Sequence, residues 1–444
     1  MPSNGLVRPR SPTTSPVAAI SPSPPRSASV RAMLRPPMLA RLAALALAAV
    51  TLAACGAPAP AAPTEPSTTS RPTPKPLSPS GFELVETYPI ETILDHPDLR
   101  DASGIWLDMI AGAHTSIDLA QFYASNHQPS SLEAVIEALE AAVRRGVRVR
   151  FLAEQSFVQT YPDTLERLAK AGASVRHLDL RAVPGGGGIL HAKYFVVDDR
   201  EAFFGSQNFD WRALEHNYEL GARVHDPAVV GGLAAIFAAD WARAGGEPLP
   251  DRRAPPPHGP ITLVASPPDL LPPGVAWDLP RIVELLDGAT TSITVELLTY
   301  RADADGSPWT ELEAPLLRAA RRGVEVQLLL ADWSKRPRTI AGLQKLARIP
   351  NITIRLTTIP PWSGGFLPFA RVSHAKALVV DGKRGWLGTS NWEKDYFTRS
   401  RNVGVIIDDP AIAAQLATFF LTLWQSPYAA LVDPDATYTP PRIE

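Results

Sequence analysis

Length, composition and charge exclude several classes of protein before any motif is considered. The chain has 444 residues, 45% of them hydrophobic, which is ample for a packed core and excludes wholesale disorder. Its formal net charge of -2 excludes both a globally basic and a strongly acidic protein. The single cysteine cannot form a disulfide within the chain.

The N-terminal region resembles a bacterial lipoprotein leader. Arginines precede an apolar run at 42–54, which ends directly before Cys55. This run is shorter than the roughly 20 residues that span a bilayer. We therefore interpret residues 1–54 as the leader, within which Met33 and Met38 are alternative starts of translation. The mature protein is expected to be exported and lipid-anchored at Cys55 in the bacterial cell envelope. A plain secretory signal or a short membrane anchor is the alternative.

Two proline-rich stretches divide the remaining chain. Residues 55–80 consist mainly of Pro, Ala, Ser and Thr, so they cannot bury a core and are interpreted as a tether. Residues 246–260 are again rich in proline and are interpreted as a linker. The sequence thus predicts two globular halves, at 81–245 and 261–444.

The two halves repeat the same pattern of predicted elements. AHTSIDLAQFY at 113–123 corresponds to ATTSITVELLTY at 289–300. An amphipathic helix follows each run and ends in Arg-Arg-Gly, and Ser130 and Glu133 predict a capping box for the first of these helices. A strand, a helix and another strand come next, with the first strands at 147–152 and 324–330, and the later helix-strand pairs at about 163–178 and 338–356. The alternation predicts an α/β fold with a mixed sheet in each half.

Each half then reaches the same set of polar residues. The first set is His191, Lys193, Asp198, Gly205, Ser206 and Asn208, and the second is His374, Lys376, Asp381, Gly388, Thr389 and Asn391. The spacing from the histidine to the lysine, aspartate, glycine and asparagine is identical in the two sets. A lone His-x-Lys on a strand is usually a solvated edge, but its full repetition makes the signal strong.

These residue types suit reactions at phosphorus. Histidine and lysine two residues apart on a strand face the same way. Lysine binds non-bridging phosphate oxygens, Ser, Thr and Asn add neutral donors, and histidine can attack phosphorus or move protons. One histidine cannot easily attack and also protonate the leaving oxygen on the opposite side, whereas two can. Because a lysine beside each histidine repels cations, we expect no catalytic metal and no cofactor. The aspartates, Asp198 and Asp381, are interpreted as turn residues.

The repeated His-Lys-Asp motif resembles that of the phospholipase D superfamily, over nearly the whole chain after Gly81. Segments 205–221 and 388–397 are similar to the lysosomal phospholipase D-like 5′ exonucleases and their poxvirus envelope relatives. The resemblance implies two α/β/α sandwich halves about a pseudo-twofold axis. It also implies one cleft shared by both motifs, in a monomer that is an internal pseudo-dimer, and a covalent phosphohistidine intermediate.

The resemblance also implies roles for individual residues. His191 is expected to be the nucleophile and His374 the general acid and later the base, with the reverse order left open. Glu219 matches the family position whose carboxylate holds a catalytic histidine. The second half departs from this pattern, because Asn402 stands at the position equivalent to Glu219. If the ring that Glu219 holds is that of His191, a Glu219 variant should resemble a weakened His191 variant.

Other features keep two interpretations each. Residues 185–188 are four glycines, which we expect to form a flexible loop at the cleft mouth. Four aromatic residues can bind a base or an acyl chain, or simply pack in the core: Trp211, Trp392, Tyr396 and Phe397. Arg399 and Arg401 are expected at the solvated surface, with a position near the cleft mouth as the alternative.

The motif selects a phosphodiester but not its leaving group. Phospholipid is slightly favoured as the substrate because of the expected lipid anchor. A 5′ exonuclease on single-stranded nucleic acid fits the sequence resemblance, and a local basic cleft suffices for it. A phosphatidyl transferase and an inactive binding protein are further alternatives, the last disfavoured by two intact motifs.

Overall fold

Two mixed β-sheets organise the part of the chain that the computed structural model describes, residues 81–304 and 306–444. Apolar clusters with helices cover both faces of each sheet. This confirms the predicted α/β fold with two similar halves. The expectations for the leader, the tether and Cys55 concern residues outside the described part.

The sheet of the first half has eight strands. Three neighbouring strands at one side run parallel, and the central hairpin that follows the first motif is antiparallel. In spatial order the strands are Arg100–Asp101, Phe82–Thr87, Glu219–Val224, Glu201–Gly205, Tyr194–Val197, Ser116–Gln121, Arg148–Glu154 and Ser174–Leu178.

The sheet of the second half repeats this order and adds a ninth strand. Its strands are, in spatial order, Ala276–Trp277, Ile261–Ser266, Asn402–Ile407, Arg384–Gly388, Ala377–Val380, Ser292–Leu297, Glu325–Ala331, Ile352–Thr357 and Ala429–Leu431. The ninth strand pairs antiparallel with its neighbour and has no counterpart in the described sheet of the first half.

Ten α-helices surround the sheets in the described residues. Those of the first half are Ala102–Ala111, Ser131–Arg144, Asp163–Lys170, Trp211–Glu215 and Pro227–Gly245. Those of the second half are Asp278–Asp287, Glu313–Arg321, Pro337–Leu346, Lys394–Thr398 and Pro410–Gln425. Short 3-10 turns and strand pairs complete the fold: Gln155–Phe157, Leu180–Ala182, Pro268–Leu270, Asp332–Lys335, Ala124–Ser125 with Phe209–Asp210, and Asp303–Ala304 with Ser307–Pro308.

The helix predicted by apolar periodicity after Ser130 forms at Ser131–Arg144, with its apolar positions buried. The Ser130 hydroxyl accepts a hydrogen bond from the Glu133 backbone N–H at 3.3 Å, as a capping residue should. The Glu133 carboxylate bonds to Asn126 and pairs with Arg167 of the next helix. Of the two hydrogen bonds of a capping box, only the one accepted by the Ser130 hydroxyl therefore forms. The Glu133 carboxylate binds the arginine instead, because a cationic partner is the stronger one.

The largest apolar cluster joins the two halves. It is built around the two longest helices, Pro227–Gly245 and Pro410–Gln425, and includes side chains from both sheets. Within the described residues, Pro227–Gly245 is the one helix long and apolar enough to cross a membrane, and most of it is buried inside the protein. Its composition is thus explained by burial in the inner layer.

Two isolated β-bridges cross between the halves. Leu190 pairs with Arg401, and Tyr218 pairs with Ser373. Leu190 and Ser373 each directly precede a motif histidine, while Tyr218 and Arg401 directly precede the equivalent positions of Glu219 and Asn402. In one bridge the first half supplies the segment before the histidine, and in the other bridge the second half supplies it. This exchange is what a pseudo-twofold axis between the halves requires.

Candidate active site

The backbone of each half holds the histidine of the other half. The His191 N–H donates to the Arg401 carbonyl oxygen at 2.9 Å, and the His374 N–H donates to the Tyr218 carbonyl oxygen at 2.8 Å. The motif strands begin only at Tyr194 and Ala377, so each histidine lies in the segment before its strand. This segment pairs across the interface, which brings the two motifs to one place.

The side-chain partner of each histidine also comes from the other half. His374 Nδ1 lies 2.7 Å from Glu219 Oε2, and His191 Nδ1 lies 3.0 Å from Asn402 Oδ1. Glu219 therefore holds His374, and the expectation that a Glu219 variant resembles a weakened His191 variant is corrected. The physical reason is that the segments that carry Glu219 and Asn402 each pair with the opposite half.

Asn402 fixes the tautomer of His191. The Asn402 amide N–H donates to the Tyr396 carbonyl oxygen at 2.8 Å, and Asn402 Oδ1 accepts from the Thr389 hydroxyl at 2.9 Å. Because these two contacts orient the amide, its oxygen faces His191 and must accept from Nδ1–H. The lone pair of the neutral ring then resides on Nε2.

Burial keeps His191 uncharged. It lowers the pKa of His191 well below its usual value, and the charges of Lys193 and Lys376 lower it further. The partner of this ring is a neutral amide, so protonation would add a net positive charge beside two lysines. His191 is therefore suited to act through its Nε2 lone pair.

His374 has a different proton balance because its partner is acidic. Burial raises the pKa of Glu219 to about 8, opposed chiefly by the charge of Lys376, and burial also lowers the pKa of His374. Near neutral pH the pair therefore keeps a proton, shared between carboxyl and imidazole. That proton can reside on the ring without changing the net charge of the pair, which suits His374 to donate it.

The two motif lysines converge in the same buried region. Each is fully buried and donates from Nζ to the carbonyl oxygen of its own motif histidine. Burial lowers the pKa of Lys193 well below its usual value and that of Lys376 to about 7, and the charge of Lys376 contributes to the shift of Lys193. Two cations that repel each other in this way are stabilised when an anion binds between them.

The hydroxyl groups of the two motifs hydrogen-bond the strands that carry the partners of the histidines. The Ser206 hydroxyl accepts from the Leu220 N–H at 3.0 Å, and the Thr389 hydroxyl accepts from the Val403 N–H at 3.1 Å. Each hydroxyl thus fixes the strand that supplies Glu219 or Asn402. Their placement supports the histidine partners, whereas the sequence grouped them with possible phosphate donors.

The motif asparagines retain unused hydrogen-bonding capacity. The Oδ1 atoms of Asn208 and Asn391 are buried without a hydrogen-bond partner in the described part of the chain. The amide N–H of Asn208 lies 3.4 Å from the Tyr123 hydroxyl oxygen. Because the two ends of an amide are interchangeable by a flip, either asparagine can present a donor to a bound phosphate.

The motif aspartates form turns, as the sequence interpretation had them. Asp198 and Asp381 both have a φ of 53°. The Asp198 carboxylate accepts from the backbone N–H groups of residues 114–116 at 2.7–2.9 Å, and Asp381 makes the equivalent contacts with residues 290–292. These hydrogen bonds hold the pKa of both carboxyls well below its usual range. Each aspartate therefore ties its hairpin to the start of the neighbouring antiparallel strand, Ser116–Gln121 or Ser292–Leu297.

A buried ion pair beside His191 was missed by the sequence analysis. Arg401, expected at the solvated surface, is completely buried and bonds Asp240 at 2.6 Å and 3.0 Å. Its guanidinium also donates to the carbonyl oxygens of Ser266 and Leu270. An acidic residue inside the mostly apolar helix Pro227–Gly245 was the available signal.

Two buried glutamates, also missed, support the residues before the histidines. Glu154 Oε2 accepts from the Leu190 N–H at 2.7 Å, and Glu296 Oε1 accepts from the Ser373 hydroxyl at 2.6 Å. Burial raises the pKa of Glu296 to about 8. A glutamate within a buried strand is the signal that identifies such residues in a sequence.

The remaining sequence candidates divide between core and cleft. Trp392 and Phe397 are fully buried in the core of the second half, while Trp211 is partly exposed. Tyr396 packs its ring edge-on against His191, with centroids 4.8 Å apart. Of the four glycines at 185–188, Gly187 and Gly188 lie against residues 399 and 400, next to the segment that holds His191.

No group of three or more His, Cys, Asp or Glu side chains that could hold a metal ion occurs in the described residues. Independence from metal remains a prediction, which chelation can test.

Comparisons with known proteins give the family. The domain described as "Cardiolipin synthase, PLD-like domain" matches residues 106–241 and 282–424, one segment in each half. The protein is 30% identical to the 5′-3′ exonuclease PLD3 of Pongo abelii over 418 residues, 82% of this chain and 83% of that protein. It is 31% identical to Phospholipase D Z of Dictyostelium discoideum over 385 residues, 78% of this chain and 90% of that protein.

Among solved structures, the phosphatidylserine synthase of Haemophilus influenzae superimposes with a TM-score of 0.54 at 12% identity, over 74% of this chain and 85% of that one. This likeness supports the fold alone. The two matched segments and the relatives that extend over most of the chain carry the assignment, and the protein belongs to the phospholipase D superfamily.

Proposed function

We propose that this phosphodiesterase hydrolyses single-stranded nucleic acid from the 5′ end, through a covalent intermediate on His191. The observation that carries the mechanism is the unequal pair of histidine partners, a neutral amide on His191 and an acid on His374. The observation that favours nucleic acid is the similarity to the 5′-3′ exonuclease PLD3, which extends over most of both chains.

In the first step His191 Nε2 attacks phosphorus. The P–N bond forms while the bond from phosphorus to the leaving oxygen breaks, and that oxygen takes the proton held by the His374 and Glu219 pair. Lys193 and Lys376 neutralise the non-bridging oxygens, and the amides of Asn208 and Asn391 donate to them. The bound phosphodiester anion favours the protonated form of both lysines, because its negative charge offsets their mutual repulsion.

In the second step water hydrolyses the intermediate. His374, now deprotonated, takes a proton from water as the oxygen attacks phosphorus, and the P–N bond breaks. The products are a phosphomonoester, free His191 and a reprotonated His374. Both steps need the two histidines on opposite sides of one phosphorus, which agrees with their crossed attachment to the two halves.

Phospholipid is the second candidate substrate. The similarity to Phospholipase D Z at 31% identity favours it, as does the expected lipid anchor. The reaction steps are the same, with an alcohol head group as the leaving group.

Parallel assays on phosphatidylcholine and on 5′-hydroxyl and 5′-phosphorylated oligonucleotides test the substrate. We expect stepwise shortening of a single strand and little release of choline, with His191→Ala as the inactive control. Choline release without oligonucleotide cleavage would assign the lipid substrate. Ethanol added to the lipid assay identifies transfer to an alcohol, and inactivity on every phosphodiester would favour a binding protein.

A further inference from the structure

We propose that four aromatic side chains beside His191 form a stacking surface for the nucleobase attached to the reacting phosphate. These residues, called here the aromatic shelf, are Phe122, Tyr123, Phe157 and Tyr161. The inference rests on the proposed function, because it requires a nucleic-acid substrate. It adds a subsite and says on which side of the reacting phosphate the base binds.

The shelf starts at the reactive histidine. The ring centroid of Phe122 lies 5.1 Å from that of His191, and the Lys193 ammonium lies 5.0 Å from the centre of the Phe122 ring. Phe157 packs on Phe122 with centroids 4.5 Å apart. A group bound on these rings is therefore directly next to a phosphate held by Lys193.

Three of the four rings share one orientation, whereas the plane of Phe122 is inclined by 61° to that of Tyr123 and by 66° to that of Phe157. The planes of Phe157 and Tyr161 differ by only 2°, and the plane of Tyr123 is tilted by 27° from each of them. All four side chains are partly exposed, unlike fully buried aromatic residues such as Trp106 and Phe209. Flat, partly exposed rings suit a base, because every base offers a π-face for stacking.

Polar contacts fix the two tyrosines of the shelf in place. The Tyr123 hydroxyl donates to the Asp210 carboxylate at 2.9 Å, and Arg212 pairs with the same carboxylate at 2.6 Å. Arg212 also hydrogen-bonds Tyr161. Rings held in this way lose little conformational entropy when a ligand stacks on them.

The equivalent place in the second half carries fewer aromatic rings: Trp333 packs near Leu298 and meets Phe369 edge-on, with centroids 6.4 Å apart. The repeat places Leu298 and Thr299 where the first half has Phe122 and Tyr123. The shelf therefore lies on one side of the pseudo-twofold axis, the side of His191. We infer that the nucleotide that becomes attached to His191 stacks its base there, while the leaving oxygen departs towards His374.

The test compares an oligonucleotide with a normal base at the nucleotide to be released and the same oligonucleotide with an abasic sugar at that position. Wild type should cleave the normal substrate more efficiently, by about 5- to 150-fold in kcat/KM, since stacking on an aromatic ring contributes about 1–3 kcal/mol per base. Phe157→Ala should lose most of this ratio and keep the wild-type rate on the abasic substrate. Phe157→Tyr, which retains the ring, should behave as wild type.

Tyr438→Ala is the matched control, since Tyr438 is a partly exposed aromatic residue whose hydroxyl contacts Asp433 near the C-terminus. It should leave the ratio unchanged. Equal losses on both substrates in Phe157→Ala would mean a structural role and would overturn the shelf. A selective loss on phosphatidylcholine would show acyl binding and would overturn it as well. If wild type cleaves no oligonucleotide, the proposed function itself fails, whatever the variants do.

Discussion

At the scale of residues, the two histidines differ in what faces Nδ1. An amide oxygen on His191 and a carboxylate on His374 give two chemically distinct imidazoles from one repeated motif. A carboxyl partner stabilises an imidazolium, whereas an amide does not supply a counter-charge. The proposed roles of His191 as nucleophile and His374 as acid, and then base, are based on this difference.

Replacing each histidine should separate the two steps. His191→Ala should abolish both the covalent intermediate and turnover, because water cannot take over the covalent route. His374→Ala should lower the rate by roughly 10²–10⁴-fold with a poor alkoxide leaving group, and by much less with p-nitrophenolate, which needs no proton. It should also accumulate phosphohistidine. Acid-quench trapping with labelled substrate measures this, and label on His374 in His191→Ala would reverse the assignment.

The pH dependence should report the Glu219 and His374 pair. The reaction needs its protonated form, so kcat/KM should fall as pH rises through about 8, the raised pKa of Glu219. Deprotonation of Lys376, whose pKa is lowered to about 7, also reduces kcat/KM on the alkaline side of the profile. Because the pKa of His191 is depressed, the acid limb should lie well below 6.5.

Glu219→Gln provides the control for this profile. It should reduce kcat on poor leaving groups more than on p-nitrophenolate and move the alkaline limb. An unchanged alkaline limb in this variant would show that another group controls it.

The motif residues could be predicted from the sequence because their spacing is repeated, but their contacts could not. Asn208 and Asn391 were found by counting along the chain. The partner of Glu219 depends on which strands meet across the interface, and no spacing within one half encodes that. Arg401 was placed wrongly for the same reason, since its partner Asp240 comes from the other half.

At the scale of elements, the segment that holds His191 is clamped by a buried ion pair. Arg401 accepts the His191 N–H through its carbonyl oxygen, and its guanidinium binds Asp240 in the inner helix. The equivalent place in the other half is filled by the stacked rings of Tyr218 and Phe419, 4.3 Å apart. The two equivalent contacts between the halves therefore have the same backbone hydrogen bond but different side-chain chemistry.

Asp240→Ala should destabilise the protein by about 3–5 kcal/mol, because it leaves the Arg401 charge buried without a counter-charge. Denaturant unfolding measures the loss. Asp408→Ala is the matched control: it removes a pair with Arg384 in which the two side chains are 43% and 45% exposed. Such a pair contributes about 0–1 kcal/mol. Similar losses in the two variants would show that the buried pair has no special importance.

The strands and helices between the first repeated run and the motif of each half could be predicted from periodicity and from glycine stops, whereas the two longest helices, Pro227–Gly245 and Pro410–Gln425, were not. The strands expected at 147–152 and 324–330 form at Arg148–Glu154 and Glu325–Ala331. The ninth strand, Ala429–Leu431, was not predicted, because it is very short and only its pairing with Ile352–Thr357 makes it a strand. Short elements of this kind are specified by their neighbours.

At the scale of the whole molecule, the proposed chemistry relies on lysines rather than on a bound ion. Activity should therefore survive EDTA at full rate. Turnover with and without the chelator, each followed by addition of a divalent ion, measures this. Loss in EDTA with recovery on adding the ion would overturn the prediction, and a known metal-dependent nuclease in the same buffer controls for effective chelation.

Export and anchoring are predicted from Cys55 and the apolar run before it. In a lipidating bacterial host, wild type should incorporate labelled lipid and fractionate with membranes, whereas Cys55→Ser should do neither. Both proteins should keep the same specific activity, since the change lies outside the described halves. Equal labelling of the two proteins would reject the prediction.

Each histidine is held by a residue of the other half, and this arrangement limits the symmetry that the two halves can have. Two identical halves joined as a symmetric dimer would carry the same residue at both of the positions that face Nδ1, either two carboxylates or two amides. One continuous chain can hold one of each, as Glu219 and Asn402 do. A built-in difference in proton affinity therefore requires two non-identical halves, which one continuous chain supplies, and the reaction then has a fixed direction.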